Sequence, residues 1–115
     1  MAFDFIKNLG YKVIERNHRQ KWGEIDIVAL APNKTLVFFE VKTLRYLPHG
    51  PVDGQLTSEM QLTSSKLRKL QKTAILYANS NSHLVDDNRG WRIDLLAIDI
   101  NKETLSSNIR HYENI

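Results

Sequence analysis

The sequence predicts an α/β fold, a mixed β-sheet with helices packed against it. Three observations carry that prediction. Residues 22–43 read as a β-hairpin: W-G-E-I-D-I-V-A-L and T-L-V-F-F-E-V-K-T are rich in Ile, Val, Leu and Phe, with A-P-N-K between them. Leu67, Leu70, Ala74, Tyr77 and Ala78 recur at helical spacing. Residues 91–100 are nearly continuous in apolar side chains, as expected of a strand covered on both faces. The predicted order is helix, three strands, helix, strand, strand.

Each element has its own signal. Residues 2–9 form a short helix with Phe3 and Ile6 on its apolar side and Gly10 as a stop. Residues 11–17 alternate and lead as a strand into the hairpin. His18-Arg19-Gln20-Lys21 reads as a basic turn, open between a solvated loop and a phosphate contact. Residues 44–61 lack periodicity and hold Pro48, His49, Gly50, Pro51 and Gly54, which predicts a long loop leaving directly from Lys42. Within it Arg45 offers a phosphate contact and Tyr46 a stacking surface, whereas a lone loop histidine such as His49 more often has no role. Residues 62–79 are the main helix, with cap oxygens at Thr63, Ser64 and Ser65. Arg68, Lys69 and Lys72 fall on its solvated side. Lys66 borders the apolar stripe, open between a snorkelling lysine and one leaning toward a substrate. Residues 79–90 are a polar loop. Asp94 interrupts the next strand and reads as a hydrogen-bonded structural aspartate, paired with Arg92 or a neighbouring basic residue. Residues 106–112 are a terminal edge strand able to meet a second copy. No internal repeat divides the chain, and 1–115 reads as one domain.

Composition narrows the function classes. At 115 residues and 42% hydrophobic, the chain is long and apolar enough to bury a core. A net charge of +3 and a pI of about 9.3 permit nucleic-acid binding without requiring it. The absence of cysteine excludes thiolate catalysis and thiolate zinc sites, and fits a reducing cytoplasm. No apolar run is long enough for a membrane span.

The hairpin carries charges that a merely buried pair of strands would not. A three-residue loop at Pro32-Asn33-Lys34 places Ala31 opposite Thr35. Continued back, that register sets Asp26 opposite Glu40 and Glu24 opposite Lys42, on one face with Val28, Leu30, Leu36 and Phe38. The other face holds Ile25, Ile27, Ala29, Val37, Phe39 and Val41; a one-residue slip would put charges against it. Opposed like charges destabilise a sheet and push each other's pKa upward. A divalent cation relieves both effects. Mg²⁺ is a hard cation that takes oxygen ligands and often uses only one or two carboxylates. Lys42 alongside supplies a compact positive charge for a phosphate oxygen or an activated water.

An acidic residue on one strand followed by E-x-K on the next resembles the core of the PD-(D/E)xK nuclease superfamily. Within it, G-E-I-D-I-V-A and L-V-F-F-E-V-K-T resemble the YraN-like family of small predicted endonucleases, related to archaeal Holliday-junction resolvases. N-L-G-Y-K-V-I-E-R-N, S-K-L-R-K-L-Q-K-T-A and W-R-I-D-L-L-A-I-D extend the likeness over nearly the whole chain. The resemblance implies a restriction-endonuclease-like αβββαβ core and metal-dependent hydrolysis of DNA phosphodiesters, branched DNA of recombination and repair included. It implies Mg²⁺ or Mn²⁺ held by Asp26, Glu40 and the Val41 carbonyl. Lys42 would orient water, and Glu24 would act as a supporting group or additional ligand. Arg19, Lys21, Arg45, Tyr46 and Lys66 are the candidate nucleic-acid contacts, and related resolvases act as dimers. The Gly-Glu that the family carries on a longer first helix has no counterpart here, which leaves an inactive nucleic-acid-binding module as the alternative.

Overall fold

The computed structural model describes residues 1–48 and 58–115. In chain order the elements are α1 (Ala2–Asn8), β1 (Lys12–Gln20), β2 (Gly23–Leu30), β3 (Leu36–Tyr46), α2 (Ser64–Ser80), β4 (Trp91–Asn101) and β5 (Ser107–Tyr112), with single 3₁₀ turns at Glu59–Gln61 and Ser82–Leu84. The strands form one five-stranded sheet in sequence order. β3 and β4 run parallel, joined through α2, and the other neighbours are antiparallel. This is the mixed α/β architecture expected, compatible with a restriction-endonuclease-like core.

The two helices cover opposite faces. Leu70, Ala74, Tyr77 and Ala78 of α2 pack on Ile25, Val28, Leu36, Phe38 and Ile93. Ile6 of α1 packs with Tyr11 on Ile27, Ala29, Val37, Phe39 and Leu96. The β2–β3 turn closes as the Pro-Asn signal suggests: Lys34 takes a positive φ of 75°, and Asn33 Oδ1 accepts the Thr35 N–H at 3.1 Å. The Thr63 hydroxyl caps α2 by accepting the Lys66 N–H at 3.3 Å. Asp94 is fully buried in β4 and fully partnered. It accepts Arg92 Nε at 2.9 Å and the Asn114 N–H at 2.9 Å, and its other oxygen lies 2.7 Å from His111 Nε2. Arg92 continues to the Tyr11 hydroxyl at 2.8 Å, so this network ties β4, β5 and the start of β1 together, in the structural role expected of Asp94.

Two segments extend further than the sequence pattern suggests. β1 continues through His18, Arg19 and Gln20, and only Lys21 and Trp22 make the turn. The cause is tertiary. The His18 ring packs edge-on against Tyr77 of α2 with centroids 4.8 Å apart, and Glu15 binds both, accepting the Tyr77 hydroxyl at 3.1 Å with His18 Nδ1 at 2.7 Å. Burial and the neighbouring Glu15 carboxylate push the Tyr77 phenol up to about 12. Leu44, Arg45 and Tyr46, expected in a loop, continue β3 because β4 offers a parallel partner for each of them. The remainder of that expected loop, His49 included, lies largely outside the described residues.

Gly23 opens β2 directly against Thr73 of α2. A Cβ there would stand 2.3 Å from Thr73 Oγ1, itself bonded to the Lys69 carbonyl at 2.9 Å. Gly23→Ala is therefore expected to cost about 1–3 kcal/mol of stability in urea unfolding, as overpacking does. Thr73→Ala, which removes the clashing hydroxyl, should restore much of that loss in the double variant; equal losses in both backgrounds would refute the close approach as the cause.

Candidate functional site

The site lies where β2 and β3 part. Their ladder follows the predicted register from Leu30↔Leu36 to Ile27↔Phe39 and ends there. The next residues toward the open end, Asp26 and Glu40, are not paired. Instead Asp26 Oδ2 accepts the Val41 backbone N–H at 2.7 Å, a carboxylate oxygen standing in for a strand carbonyl. On the other side, β1 pairs with β2 at Arg16↔Ile27 and His18↔Ile25 but skips the position between, where Asn17 takes a positive φ of 55°. Asn tolerates that conformation better than most side chains.

The alternation of β2 breaks at this point. Ile25 packs with Val28 on the α2 face rather than with Ile27. This corrects the expectation that Glu24, Asp26, Glu40 and Lys42 share one face. Glu24, Glu40 and Lys42 open onto a groove of about 430 Å³ under α2, while Asp26 opens onto a hollow on the α1 side with Phe3, Arg16 and Val41. The predicted Glu24–Lys42 pair is not formed. Glu24 pairs with Arg19 at 3.4 Å, both largely exposed, and Lys42 Nζ lies 3.0 Å from Glu40 Oε1, both mostly buried.

Asp26 and Glu40 nonetheless flank the same fork, near enough for each carboxyl to bear on the other's ionisation. Burial raises the Asp26 carboxyl above its ordinary range, opposed by the Val41 N–H and by Lys42. Burial raises Glu40 as well, reinforced by the Asp26 charge and opposed by Lys42. The Val41 backbone adjoins both groups. Among the described residues no three Asp, Glu or His side chains gather closely enough to hold an ion by themselves. The oxygen donors at the fork are the Asp26–Glu40 pair with the neighbouring backbone.

The groove is basic. Arg19 and Lys21 line one wall and Lys66 and Lys69 of α2 the other, above Glu24, Glu40 and Lys42. Lys66 Nζ reaches the Gln61 carbonyl at 3.3 Å. Lys69 is exposed, as read from sequence, and also borders the groove; helical position alone did not reveal the wall opposite. Arg45 and Tyr46 are not brought to the groove: they end β3 beside Ile100 and Asn101, with the Tyr46 carbonyl accepting the Lys102 N–H.

A carboxylate pair and an adjoining lysine on a forked α/β sheet, under a basic groove, describe the class. The chain belongs to the family described as uncharacterised protein family UPF0102, which matches residues 1–98 and is the YraN-like group. It is 35% identical to a UPF0102 protein of Campylobacter concisus over 94% of this chain and 85% of the relative. It is 38% identical to one of Clostridium botulinum over 94% of this chain and 79% of the relative. With one of Pelobacter propionicus it shares 40% identity over 85% of this chain and 64% of the relative. Among the described residues no helix is long and apolar enough to cross a membrane.

The raised carboxyls set a pH dependence. A carboxyl that ionises later in the folded state makes that state hold more protons, so its contribution is fully present below the unfolded pKa of about 4 and is lost as pH rises through the folded pKa. In EDTA, Glu40→Gln is expected to match the parent's stability below that pH and to exceed it increasingly as pH rises through the window. Melting temperatures across pH 4–8 test this; a constant difference between variant and parent, or one that shrinks as pH rises, would overturn the assignment.

Proposed function

We propose that the protein is a metal-dependent endonuclease that hydrolyses phosphodiesters in DNA, with branched DNA of recombination and repair among its substrates. The observation that carries this reading is Asp26 bonded to the Val41 N–H at 2.7 Å, next to Glu40 whose Oε1 lies 3.0 Å from Lys42 Nζ in the lining of a basic groove. The donors fit Mg²⁺ or Mn²⁺: both carboxyls are partly buried, each resists ionisation, and a cation would compensate both. Asp26, Glu40 and the Val41 carbonyl would hold it, and one or two carboxylates are a usual protein share for Mg²⁺, with water and phosphate completing the shell. When bound, such an ion polarises a phosphoryl oxygen and lowers the pKa of bound water.

The chain's own groups supply the rest. Glu40 holds the Lys42 ammonium at the groove floor, where it can donate to a phosphate oxygen and stabilise charge developing there. Arg19, Lys21, Lys66 and Lys69 flank the floor from two sides and suit successive backbone phosphates. Glu24, on the exposed rim with Arg19, supports that cation. A second reading, a nucleic-acid-binding module without cleavage, is favoured by the gathering of a carboxylate pair rather than a triad among the described residues.

Two measurements separate these readings. Mg²⁺ or Mn²⁺ at 100 times its dissociation constant should stabilise the protein by about 2.7 kcal/mol, an effect lost in Asp26→Asn and Glu40→Gln; no shift at millimolar metal counts against the site. With labelled branched and linear DNA and Mn²⁺, Lys42→Ala should lower cleavage roughly 10²–10³-fold, as loss of one charge-stabilising donor does, while leaving binding largely intact. Cleavage at the parental rate would sink the mechanism, and binding without cleavage by the parent would favour the second reading.

A further inference from the structure

Trp22 is the residue this site has not yet used. It sits in the β1–β2 turn with 46% of its surface exposed, between Lys21 and Gly23, both of which line the groove. A single exposed apolar side chain ordinarily needs no explanation. An indole offers more than apolar area, because it presents a large flat π-face with an N–H donor, the combination enriched at interfaces. The protein's other tryptophan, Trp91, is packed edge-on against Phe38 with ring centroids 5.6 Å apart. Trp22 therefore stands at the edge of the basic groove, outside its lining and next in the chain to Lys21, with much of its ring open.

Cations tracking a backbone with an aromatic face beside them are the two components by which proteins hold single strands. In a continuous duplex each base is already paired and stacked between neighbours, so an indole would gain a base only by extruding it. An unpaired nucleotide offers its face at no such cost. We propose that Trp22 is a stacking platform for an unpaired base, so that the groove takes nucleic acid carrying single-stranded nucleotides (a flap, a gap or a splayed end) in preference to continuous duplex. The base stacks on the indole while Lys21 and Arg19 hold the flanking phosphates. This rests on the reading of the groove as a nucleic-acid site.

The test uses the full chain, metal-free, with an oligo(dT) of about 16 nucleotides, the upper single-module site size, and a blunt duplex of equal length. Oligo(dT) should quench the parent's tryptophan emission, and that quench should vanish in Trp22→Phe, which keeps Trp91 and still offers a ring. Trp22→Ala should bind oligo(dT) roughly five-fold or more weakly, the loss of one stacked base, with duplex affinity unchanged. Parental oligo(dT) affinity in Trp22→Ala, or an equal loss for duplex, overturns the stacking role while the groove's nucleic-acid role stands. A parent that binds neither ligand removes that role and the proposal together. Should Trp22→Ala fail to fold, the quench in Trp22→Phe decides the same question.

Discussion

One hydrogen bond organises this molecule: the Val41 N–H donated to the Asp26 carboxylate at 2.7 Å. In an uninterrupted antiparallel pair that N–H belongs to a backbone carbonyl of the neighbouring strand. Giving it to a side chain satisfies the backbone without continuing the ladder, so β2 and β3 separate there with no orphaned donor. Beyond the fork β2 stays with β1, and β3 stays with β4 through an unbroken parallel ladder to Tyr46. The groove under α2 opens beside that separation, and Glu40 and Lys42 reach it because the strand carrying them no longer has β2 as a neighbour.

Two aspartates in the same sheet show what this arrangement costs. Asp94 is fully buried, and its oxygens meet Arg92, His111 and a backbone N–H, so its charge is compensated from several elements at once. Asp26 has one backbone donor, lies across the fork from Glu40, and is held above its ordinary pKa by burial. A fold that leaves one half-buried carboxylate short of partners, next to a second carboxyl and a lysine, bears a local instability that packing does not require. Carboxyls perturbed by burial and by a neighbouring charge beside a groove are a physical mark of a candidate functional site.

The far end of the groove is held by a separate set of contacts. Arg110 of β5 binds Asp99 of β4 and also Glu59 and Ser58, which lead into α2. Gln61 Nε2 donates to the Thr43 carbonyl at 3.0 Å, one residue beyond Lys42. Burial of Ser58 and these bonds fix the approach to α2, and with it the wall that carries Lys66 and Lys69. The cations opposite them are placed by another device, the docking of β1 on Tyr77 through Glu15 and His18.

Much of this was written in local pattern. The hairpin register from Leu30↔Leu36 to Ile27↔Phe39 followed from turn length and from the apolar face, since a slip by one residue would expose every core side chain. The apolar stripe and Thr63 cap of α2, the covered run of β4 and the pairing of Asp94 with Arg92 likewise depend on neighbours in sequence. The kink at Asp26 did not show, because alternation alone cannot report that a carboxylate has taken a backbone donor fifteen residues away. Nor could it show that β3 runs on to Tyr46, which depends on a partner strand some fifty residues later, or that the exposed Lys69 borders a groove. The sequence by itself determined the order of elements and the hairpin whose open end carries these acids and the lysine, since these follow from spacing along two strands and a turn. Only the tertiary structure decided which side of the sheet each carboxyl serves and which cations share its groove, because those depend on where strands separate and helices dock.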